Sequence, residues 1–362
     1  MIFQETLKDY IMANNKEVLF GILGLGRVVD IRLSKLFKFE LKNAKVNCVY
    51  DVDSKKNKKF KKYFNCKISN NLNDFFKVKN DFVYIATESG NHFKHILMCL
   101  KNNKNVIVEK PPVLKIEQLI YLDKLARNKK LELYTIFQNR FNKSVQYLKK
   151  ILKKDNELIF ADLSLIWSRK QSYYSDWHGN WKLDGGVLAQ QGIHYIDLLN
   201  YLLGKPIKCI STISNKINKL QAEDTHTAIV EYKNKLSCTI NMSTAFRPRD
   251  FEASIKVYSK RKIYILNGLC CNKIETFDLN NNKSKLIKVH SENVPNGYGI
   301  SHRYVLQNIV NNKQRKKTKY GKPLKAIEAL DTVRLLNMMY MSHEKNRWVK
   351  VNEKNIYSKL GN

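Results

Sequence analysis

A glycine-rich turn between a hydrophobic strand and a helix constrains the fold of this chain more than any other feature. A hydrophobic run at 17–23 predicts a buried strand, and Gly24-Leu25-Gly26-Arg27-Val28-Val29 follows it directly. A helical pattern then extends to about Phe39. The first glycine permits a tight turn, and the second lets the main chain approach a ligand at the helix N-terminus. The stretch therefore predicts an anion-binding strand–turn–helix unit.

The next segment adds an acid at a matching distance. A second strand at 45–50 ends at Asp51, which follows Val29 by about 20 residues. This order of elements is typical of domains that bind a dinucleotide through its phosphates and its adenosine ribose. An ordinary turn aspartate is the alternative for Asp51. We predict cofactor contacts from five residues of this unit: Gly24, Gly26, Arg27, Val28 and Asp51.

Asp51 also bears on which dinucleotide binds. Its carboxylate would repel a 2′-phosphate, which favours NAD over NADP. Lys55 and Lys56 follow closely and could offset that repulsion, so the sequence leaves NADP open. Val29 stands where a small residue normally allows close packing of the helix on the strand, a departure from the usual pattern.

A short strand that ends in prolines places a lysine at the same edge of the sheet. Residues 106–108 are β-branched and predict a buried strand, which Glu109-Lys110-Pro111-Pro112 ends. A strand at 81–87 and a helix at 93–101 precede it, and this alternation predicts a parallel sheet with helical crossovers. Ligands bind beyond the carboxyl ends of such strands, so Lys110 is a candidate catalytic group. A surface lysine before a turn is the alternative.

Length and composition indicate a two-domain globular protein. The chain has 362 residues, of which 43% are hydrophobic and 27% charged, a balance unlike that of disordered proteins. No apolar run reaches the roughly 18 residues of a membrane span. The start of the chain has Glu5 and Asp9 and no cationic-then-apolar pattern, so we expect no signal peptide and a cytoplasmic location. Seven scattered cysteines without a Cys-x-x-Cys pair predict reduced thiols.

The net charge of +33 is the most unusual property of the composition. Clustered lysines at 55–62 and 313–319 would suit nucleic acid. No helix-turn-helix, zinc-finger or RNA-binding aromatic pattern accompanies them, so we do not expect that partner. General enrichment in lysine without a function is the simpler interpretation. A positive field would also attract an anionic substrate such as a nucleotide sugar.

The second half of the chain predicts an α+β domain. A helix at 113–130 and a strand at 131–137 complete the first domain, and Gln138-Asn139-Arg140-Phe141 leads onward. Arg140 could bind an anionic substrate group or form a salt bridge at the domain interface, with equal support for each. Consecutive β-rich runs predict a largely antiparallel open sheet. These runs lie at 207–214, 225–232, 236–243, 251–258 and 262–266.

We expect the following domain order from these patterns. An N-terminal extension at 1–16 precedes a Rossmann dinucleotide-binding domain at 17–138. A domain for substrate binding or oligomerisation follows at 139–362, and it ends with a helix at 324–344.

One helix of the second domain carries a candidate general base. The pair Gly185-Gly186 opens it, and helical spacing places Gln190, His194 and Asp197 on one face. His194 has apolar neighbours, and Asp197 three residues later could orient its imidazole ring. Gln190 can position a substrate but cannot act as a base. We therefore predict a catalytic His194–Asp197 pair, with a purely structural histidine as the alternative.

The segment 173–181 mixes aromatic and polar side chains. Sugar rings present flat apolar faces and hydroxyl edges, and a loop of Tyr, Trp and Asp suits both. Tyr174 and Trp181 are therefore candidate substrate contacts. An ordinary aromatic loop that packs on the sheet explains the composition equally well.

Together these motifs resemble those of the Gfo/Idh/MocA oxidoreductases. The chain departs from their pattern at Glu88, where proline is usual, and at Gln190, where the family often carries Asp or Asn. The shared motifs are the Gly-x-Gly turn, Asp51, Ala86-Thr87-x-Ser89-x-x-His92, Glu109-Lys110-Pro111 and Gly185-Gly186…Gly192-x-His194-x-x-Asp197.

The resemblance implies an enzyme that binds a nicotinamide dinucleotide and oxidises or reduces sugars, cyclitols or sugar nucleotides. It implies that Lys110 lies beside the nicotinamide and contacts the reacting hydroxyl, and that His194 accepts the proton. A Tyr-Gly…His segment at 298–302 resembles another family motif and implies His302 as a substrate contact. The further cofactor contacts that it implies are Thr87, His92, Glu109, Pro111 and Gln138. The resemblance also implies that the C-terminal helix at 324–344 packs back toward the first domain.

The sequence thus predicts an NAD(P)-dependent oxidoreductase that acts on CH–OH groups. We expect a sugar nucleotide or amino sugar in surface-glycan biosynthesis as substrate, and a homo-oligomer as the assembly. A free sugar or inositol dehydrogenase is one alternative, and a non-catalytic sensor of dinucleotide and sugar is another. His92 and His95 could suggest a metal, but no third ligand lies nearby in the sequence, so we expect none.

Overall fold

The computed structural model describes residues 16–233, 235–294, 296–318 and 321–362. Residues 1–15 of the predicted N-terminal extension lie outside the described residues. Two sheets organise the chain, one of six strands and one of nine.

The first sheet is fully parallel and confirms the predicted Rossmann architecture. Its spatial order, β3-β2-β1-β4-β5-β6, reverses direction beside β1, which opens a crevice beyond the carboxyl ends of β1 and β4. Helices cover both faces, so β1 and β4 are hydrophobic and buried along nearly their whole length. The strands are β1 (Val18–Leu23), β2 (Ala44–Tyr50), β3 (Lys67–Ile68), β4 (Phe82–Ile85), β5 (Asn105–Val108) and β6 (Leu133–Thr135).

The helices of the first sheet start close to its carboxyl edge. The helical stretch at 27–40, α1, contains two π-helical turns, Val29–Leu33 and Leu36–Glu40. Side-chain caps fix the starts of α2 and α3, because Asp53 accepts a hydrogen bond from the Lys55 N–H and Asn71 accepts one from the Asp74 N–H. The remaining helices are α2 (Ser54–Phe64), α3 (Leu72–Lys77), α4 (His92–Lys101) and α5 (Ile116–Asn128).

The second sheet is antiparallel except at its centre, where β7 and β10 are parallel. Its order is β14-β13-β12-β11-β7-β10-β9-β8-β15. The strands are β7 (Leu158–Ile166), β8 (Pro206–Ser214), β9 (Thr225–Tyr232), β10 (Ser237–Ser243), β11 (Glu252–Ser259), β12 (Lys262–Asn267), β13 (Lys273–Asp278), β14 (Lys283–Leu286) and β15 (Val349–Lys350). The largely antiparallel sheet expected from the sequence is therefore confirmed.

Two C-terminal helices join the halves of the molecule. The helices that follow β6 are α6 (Lys143–Leu152), α7 (Ile193–Leu203), α8 (His302–Lys313) and α9 (Leu330–Lys345). Val305 and Ile309 of α8 lie in the same buried cluster as Phe20 of β1. Val333 of α9 lies in the cluster of β4 and β5. The second half of the chain is thus fixed against the first at both faces of the parallel sheet.

None of the helices in the described ranges is long and apolar enough to cross a membrane. All seven cysteines are free, and six of them are buried. The described part of the chain has no group of three or more His, Cys, Asp or Glu side chains arranged to hold a metal ion.

Candidate active site

The glycine turn after β1 has the geometry that a bound phosphate needs. Gly24 adopts φ +87°, and a Cβ there would lie 2.7 Å from Thr87 Cγ2 and 2.8 Å from the Ala86 main chain. At Gly26 a Cβ would meet only the Ala86 carbonyl oxygen, at 3.7 Å. The turn is therefore closed on its β4 side at Gly24 and open to a ligand at Gly26.

Asp51 lies beside this turn at the end of β2. One carboxylate oxygen accepts the Leu25 N–H at 2.7 Å, and the other accepts the Asp53 N–H at 2.9 Å. Each oxygen keeps a further lone pair, so Asp51 can still accept ribose hydroxyls. A turn open at Gly26, the start of α1 and this carboxylate fit a dinucleotide. Val29 is fully buried, so the unusual third position packs into the core.

Arg27 and Val28 begin α1 at the mouth of the crevice. Val28 is half-buried and Arg27 is exposed. The guanidinium carbon of Arg27 lies 5.8 Å from the ring centre of Tyr173, which belongs to the second half of the chain. Arg27 therefore spans the crevice from the glycine turn to the aromatic loop.

His92 ties the ends of two neighbouring strands together. Its Nδ1 lies 2.7 Å from the Pro111 carbonyl oxygen, and its Nε2 lies 3.1 Å from the Thr87 carbonyl oxygen. Burial lowers the pKa of His92, against the opposing effect of these two hydrogen bonds. The Thr87 hydroxyl lies 2.9 Å from Nδ1 of His95. Both histidines thus form hydrogen bonds within the protein, and His92 holds the loop that carries Lys110 against the end of β4.

Glu109 is a buried carboxylate with two protein partners. It accepts a 2.6 Å hydrogen bond from the Tyr84 hydroxyl and lies 3.8 Å from Nε2 of His302. Burial raises the pKa of Glu109, but hydrogen bonding and charge from His302, the Tyr84 hydrogen bond and Lys110 outweigh it and hold that pKa below its usual value. Glu109 and His302, which were both predicted from the sequence as site residues, therefore lie next to each other.

Lys110 crosses from the end of β5 to the second half of the chain. Its Nζ donates a 2.6 Å hydrogen bond to the main-chain oxygen of Gln190, within the π-helical turn Leu188–Gly192. Burial lowers the pKa of Lys110, while the charges of Glu109 and Asp184 oppose that effect. The half-buried amine thus stands between the parallel sheet and the turn that precedes α7.

His194, on the first turn of α7, follows by four residues the Gln190 whose carbonyl binds this amine. Burial lowers its pKa well below the usual value, and the charges of Lys110 and His302 lower it further. Its Nδ1 is buried and has no hydrogen-bond partner within the described chain. The imidazole is therefore neutral, and it shares one site with Lys110 and His302.

The predicted orienting role of Asp197 is wrong. Both of its oxygens accept hydrogen bonds from Arg140 at 2.6 Å, and one also accepts the Thr332 hydroxyl at 2.9 Å. Asp197 is buried and bonded to Arg140 and Thr332, whereas His194 on the same helix is half-buried and its Nδ1 has no hydrogen-bond partner within the described chain. Helical spacing alone could not reveal that Arg140, 57 residues earlier, takes the carboxylate.

The same pair decides between the two roles considered for Arg140. Its guanidinium is 12% exposed and forms a two-pronged salt bridge with Asp197. The salt-bridge alternative is therefore the observed one. Gln138, at the start of the same segment, is buried, and its Oε1 has no partner within the described residues.

Both residues of the aromatic loop that were predicted as substrate contacts also pack against the protein. The Trp181 ring packs at 5.1 Å against Tyr340 and its carbonyl accepts the Gly361 N–H at 2.8 Å, so its contact with substrate stays a prediction. The Tyr174 hydroxyl lies 2.7 Å from the Thr244 hydroxyl, and burial raises its pKa to about 12.

Three residues of the site escaped the sequence analysis. Tyr173 lies beneath Arg27, and its hydroxyl is 3.4 Å from Nε2 of Gln191. His178 pairs with Asp176 at 2.5 Å, and burial lowers its pKa, with Lys110 among the charges that act in the same direction. Asp184 is a buried acid whose pKa responds to Lys110. In the sequence, Asp184 stands directly before Gly185-Gly186, and this position was the signal that could have identified it.

The sequence matches two domain descriptions that span most of the chain. Residues 18–137 match "Oxidoreductase family, NAD-binding Rossmann fold", and residues 159–351 match "Oxidoreductase family, C-terminal alpha/beta domain". The chain belongs to the Gfo/Idh/MocA oxidoreductase family. This protein is therefore an NAD-binding oxidoreductase, as the sequence predicted.

Relatives within the Gfo/Idh/MocA family differ in what they act on. Glucose-6-phosphate 3-dehydrogenase of Bacillus subtilis is 26% identical over 258 residues, which cover 67% of this chain and 72% of that protein. WlbA dehydrogenase of Bordetella pertussis, solved with NADH and UDP-GlcNAcA, has a TM-score of 0.80 at 21% identity, with 92% of this chain and 99% of that chain covered. WlbA of Chromobacterium violaceum, solved with the same two molecules, has a TM-score of 0.81 at 24% identity, with 92% and 96% covered.

Proposed function

We propose that this protein transfers hydride between NAD and a carbinol carbon of a sugar nucleotide or amino sugar, in surface-glycan biosynthesis. The observation that carries the proposal is that the Lys110 amine, at the carboxyl edge of the parallel sheet, binds the carbonyl of Gln190, four residues before His194 in a distant part of the chain. An amine and a neutral imidazole beside the dinucleotide crevice are the groups that alcohol oxidation requires.

The residues around the glycine turn would hold the cofactor. Gly26 and the start of α1 face its phosphates, and Asp51 accepts the adenosine ribose hydroxyls. When bound, the nicotinamide ring supplies the hydride acceptor or donor. The protein contributes binding, orientation and control of the proton.

Lys110 and His194 have different roles at the substrate hydroxyl. Lys110 is anchored by one hydrogen bond to Gln190, which leaves its other N–H donors for the reacting oxygen. Those donors stabilise the negative charge that develops on that oxygen. His194 is neutral because of its lowered pKa, so it can take the hydroxyl proton without first losing one of its own.

Three observations support an anionic, sugar-containing substrate. The two WlbA structures, similar in fold, hold UDP-GlcNAcA. The net charge of +33 produces a field that attracts anions. The ring of Tyr173 lies near two guanidiniums, with Arg27 at 5.8 Å and Arg169 at 5.7 Å from its centre.

A sugar or sugar phosphate without a nucleotide is the second candidate. The similarity to glucose-6-phosphate 3-dehydrogenase favours it. A substrate screen separates the two, because a nucleotide sugar should give a much lower KM than its free sugar if the nucleotide is bound. The sensor alternative receives no support from a site that retains both Lys110 and His194.

We also propose a cytoplasmic homo-oligomer. The seven free cysteines suit a reducing compartment. Phe160 and Ile229, on the second sheet, are 42% and 41% exposed and could be covered by another copy of the chain. Light scattering of the purified protein measures the mass and tests the assembly.

The decisive experiment compares Lys110→Ala and His194→Ala with the unaltered protein. Hydride transfer is followed by nicotinamide absorbance with nucleotide sugars, and NAD binding by fluorescence. We expect each variant to lose at least about 100-fold in kcat while it retains NAD affinity. Lys124→Ala, an exposed change on α5, is the control. Near-normal turnover in both site variants would end the proposal.

A further inference from the structure

Two arginines from different halves of the chain lie beside the ring of Tyr173. The guanidinium carbon of Arg27, at the start of α1, is 5.8 Å from the ring centre, and that of Arg169, which follows β7, is 5.7 Å from it. A guanidinium stays positively charged throughout the physiological pH range. Two permanent positive charges therefore share one aromatic ring at the mouth of the crevice.

A third arginine is bound directly to the main chain of Arg169. Arg247 donates a 2.9 Å hydrogen bond to the Arg169 carbonyl oxygen. Its other hydrogen bonds go to the carbonyl oxygens of Thr244 and Phe246, at 3.2 and 2.9 Å, and to the side-chain oxygen of Asn218, at 3.0 Å. All four acceptors are neutral, so they hold the Arg247 guanidinium without cancelling its charge.

The nearby carboxylates leave this cluster of arginines positive. Arg169 forms a 3.0 Å salt bridge with Asp250, and both side chains are partly open to water. Arg27 is exposed and forms no salt bridge within the described residues. Asp176, the acid of the aromatic loop, is bound to His178 at 2.5 Å. Three guanidiniums with one directly paired carboxylate have an excess of positive charge that attracts an anion.

Tyr173 connects the arginines with the anchor of the catalytic amine. Its hydroxyl lies 3.4 Å from Nε2 of Gln191. The residue before it, Gln190, binds the Lys110 amine at 2.6 Å through its main-chain oxygen. The arginines and the predicted position of the reacting hydroxyl are therefore neighbouring parts of the same crevice.

We propose that Arg27 and Arg169 form a subsite that binds a phosphate group of the substrate. The inference rests on the proposed function and deepens it, because it assigns named residues to the anionic part of the substrate. A planar guanidinium binds phosphate oxygens through two N–H donors at once. Nη1 of Arg169 is occupied by the Ser168 carbonyl and Asp250, whereas its Nε and Nη2 have no acceptor within the described residues. The phosphate belongs either to a sugar phosphate or to the diphosphate of a nucleotide sugar.

A binding experiment tests the subsite without turnover. Calorimetry measures the affinity of inorganic pyrophosphate and of UDP for the protein saturated with NADH, so that the phosphate site of the dinucleotide is already filled. We expect both probes to bind, and we expect Arg27→Gln and Arg169→Gln each to weaken binding at least about 10-fold, because a charged hydrogen-bond donor is lost. Tighter binding of UDP would indicate a nucleotide sugar, and equal binding a sugar phosphate.

Two further variants separate charge from structure. Asp250→Asn keeps an oxygen that can accept the Ser168 N–H and Arg169, at 2.8 and 3.0 Å, but it removes the negative charge. We therefore expect it to strengthen pyrophosphate binding about 2- to 5-fold. Arg127→Gln breaks the 2.9 Å salt bridge of an exposed arginine with Asp123 on α5, and as the matched control it should have no effect. Thermal unfolding confirms that each variant is folded.

Four outcomes would overturn this inference. They are the absence of pyrophosphate binding to the NADH complex, unchanged affinity in Arg169→Gln, weaker binding in Asp250→Asn, and a loss of NADH affinity alone in Arg27→Gln. The last result would mean that Arg27 serves only the cofactor. None of these results tests the proposed hydride transfer, which fails only if Lys110→Ala and His194→Ala keep their activity.

Discussion

The side-chain nitrogen of Lys110 lies 2.6 Å from the main-chain oxygen of Gln190, although 80 positions separate the two residues. The contact is possible because Gln190 belongs to a π-helical turn, in which the regular helical hydrogen bonding is altered. Turns of this kind occur frequently at functional sites. A backbone carbonyl thus anchors the amine from the opposite half of the molecule.

The two glycines of the first turn should respond differently to alanine. Gly24→Ala forces a side chain into a left-handed backbone and into contact with Thr87, so we expect a loss of about 2 kcal/mol or more of stability. Gly26→Ala should leave the melting temperature nearly unchanged but weaken NAD binding about 10-fold, because the methyl group fills the space for the phosphates. Calorimetry and NAD titration measure both. Equal effects in the two variants would contradict this assignment.

The protonation of His194 should depend on Lys110. Burial and the Lys110 charge lower the pKa of His194 below 6.5, so its neutral, basic form persists as the pH falls below that value. Lys110→Met removes one of these causes and should raise the pKa by up to about one unit. Histidine NMR titration measures this pKa without turnover, with the exposed Lys124→Met as the control. If the His194 pKa stayed unchanged in Lys110→Met, the Lys110 charge would have no effect on His194, contrary to this prediction.

Glu109 should contribute stability that depends on pH. Its pKa in the folded state is below the ordinary value of 4.5, so its stabilising effect is complete above that pH and is lost as the pH falls through the folded-state pKa. We expect Glu109→Gln to cost about 2 kcal/mol at neutral pH and progressively less in acid. Urea unfolding over a pH series measures the difference, with the exposed Glu117→Gln as the control. If the difference in unfolding free energy between the unaltered protein and Glu109→Gln grew in acid, the pKa of Glu109 in the folded state would be raised and not lowered.

Asp197 should matter for stability far more than for the chemical step. Asp197→Asn leaves the buried Arg140 without its full partner and should cost about 3–5 kcal/mol of unfolding free energy. The folded fraction should retain kcat within about 10-fold, because Asp197 does not contact His194. Replacing both partners, as Arg140→Met with Asp197→Leu, should recover much of the loss. A large fall in kcat at unchanged stability would instead support an orienting role.

Much of the fold was accessible from the sequence because its signals are local. Buried β-branched runs and the glycine turn identified β1, β2, β4 and β5 to within about two residues. β13 and β14 were missed because Lys273–Asp278 and Lys283–Leu286 are polar and lie at one edge of the sheet, where no alternating pattern forms.

The site was predicted less completely, since its partnerships depend on tertiary packing. Sequence indicated that Lys110 and His194 matter, but not which groups surround them. A helix face predicts neighbours only within the helix, so it paired Asp197 with His194 and could not foresee Arg140. Composition likewise suggested Trp181 as a substrate contact but could not show that its ring packs edge-on against Tyr340.

Three segments share one buried carboxylate. Asp197 on α7 holds Arg140 from the link between the two halves and Thr332 from the returning helix α9. Losing this one side chain would deprive Arg140 and Thr332 of a buried partner at the same time. A single substitution at Asp197 therefore weakens the attachment of three segments that are far apart in the sequence.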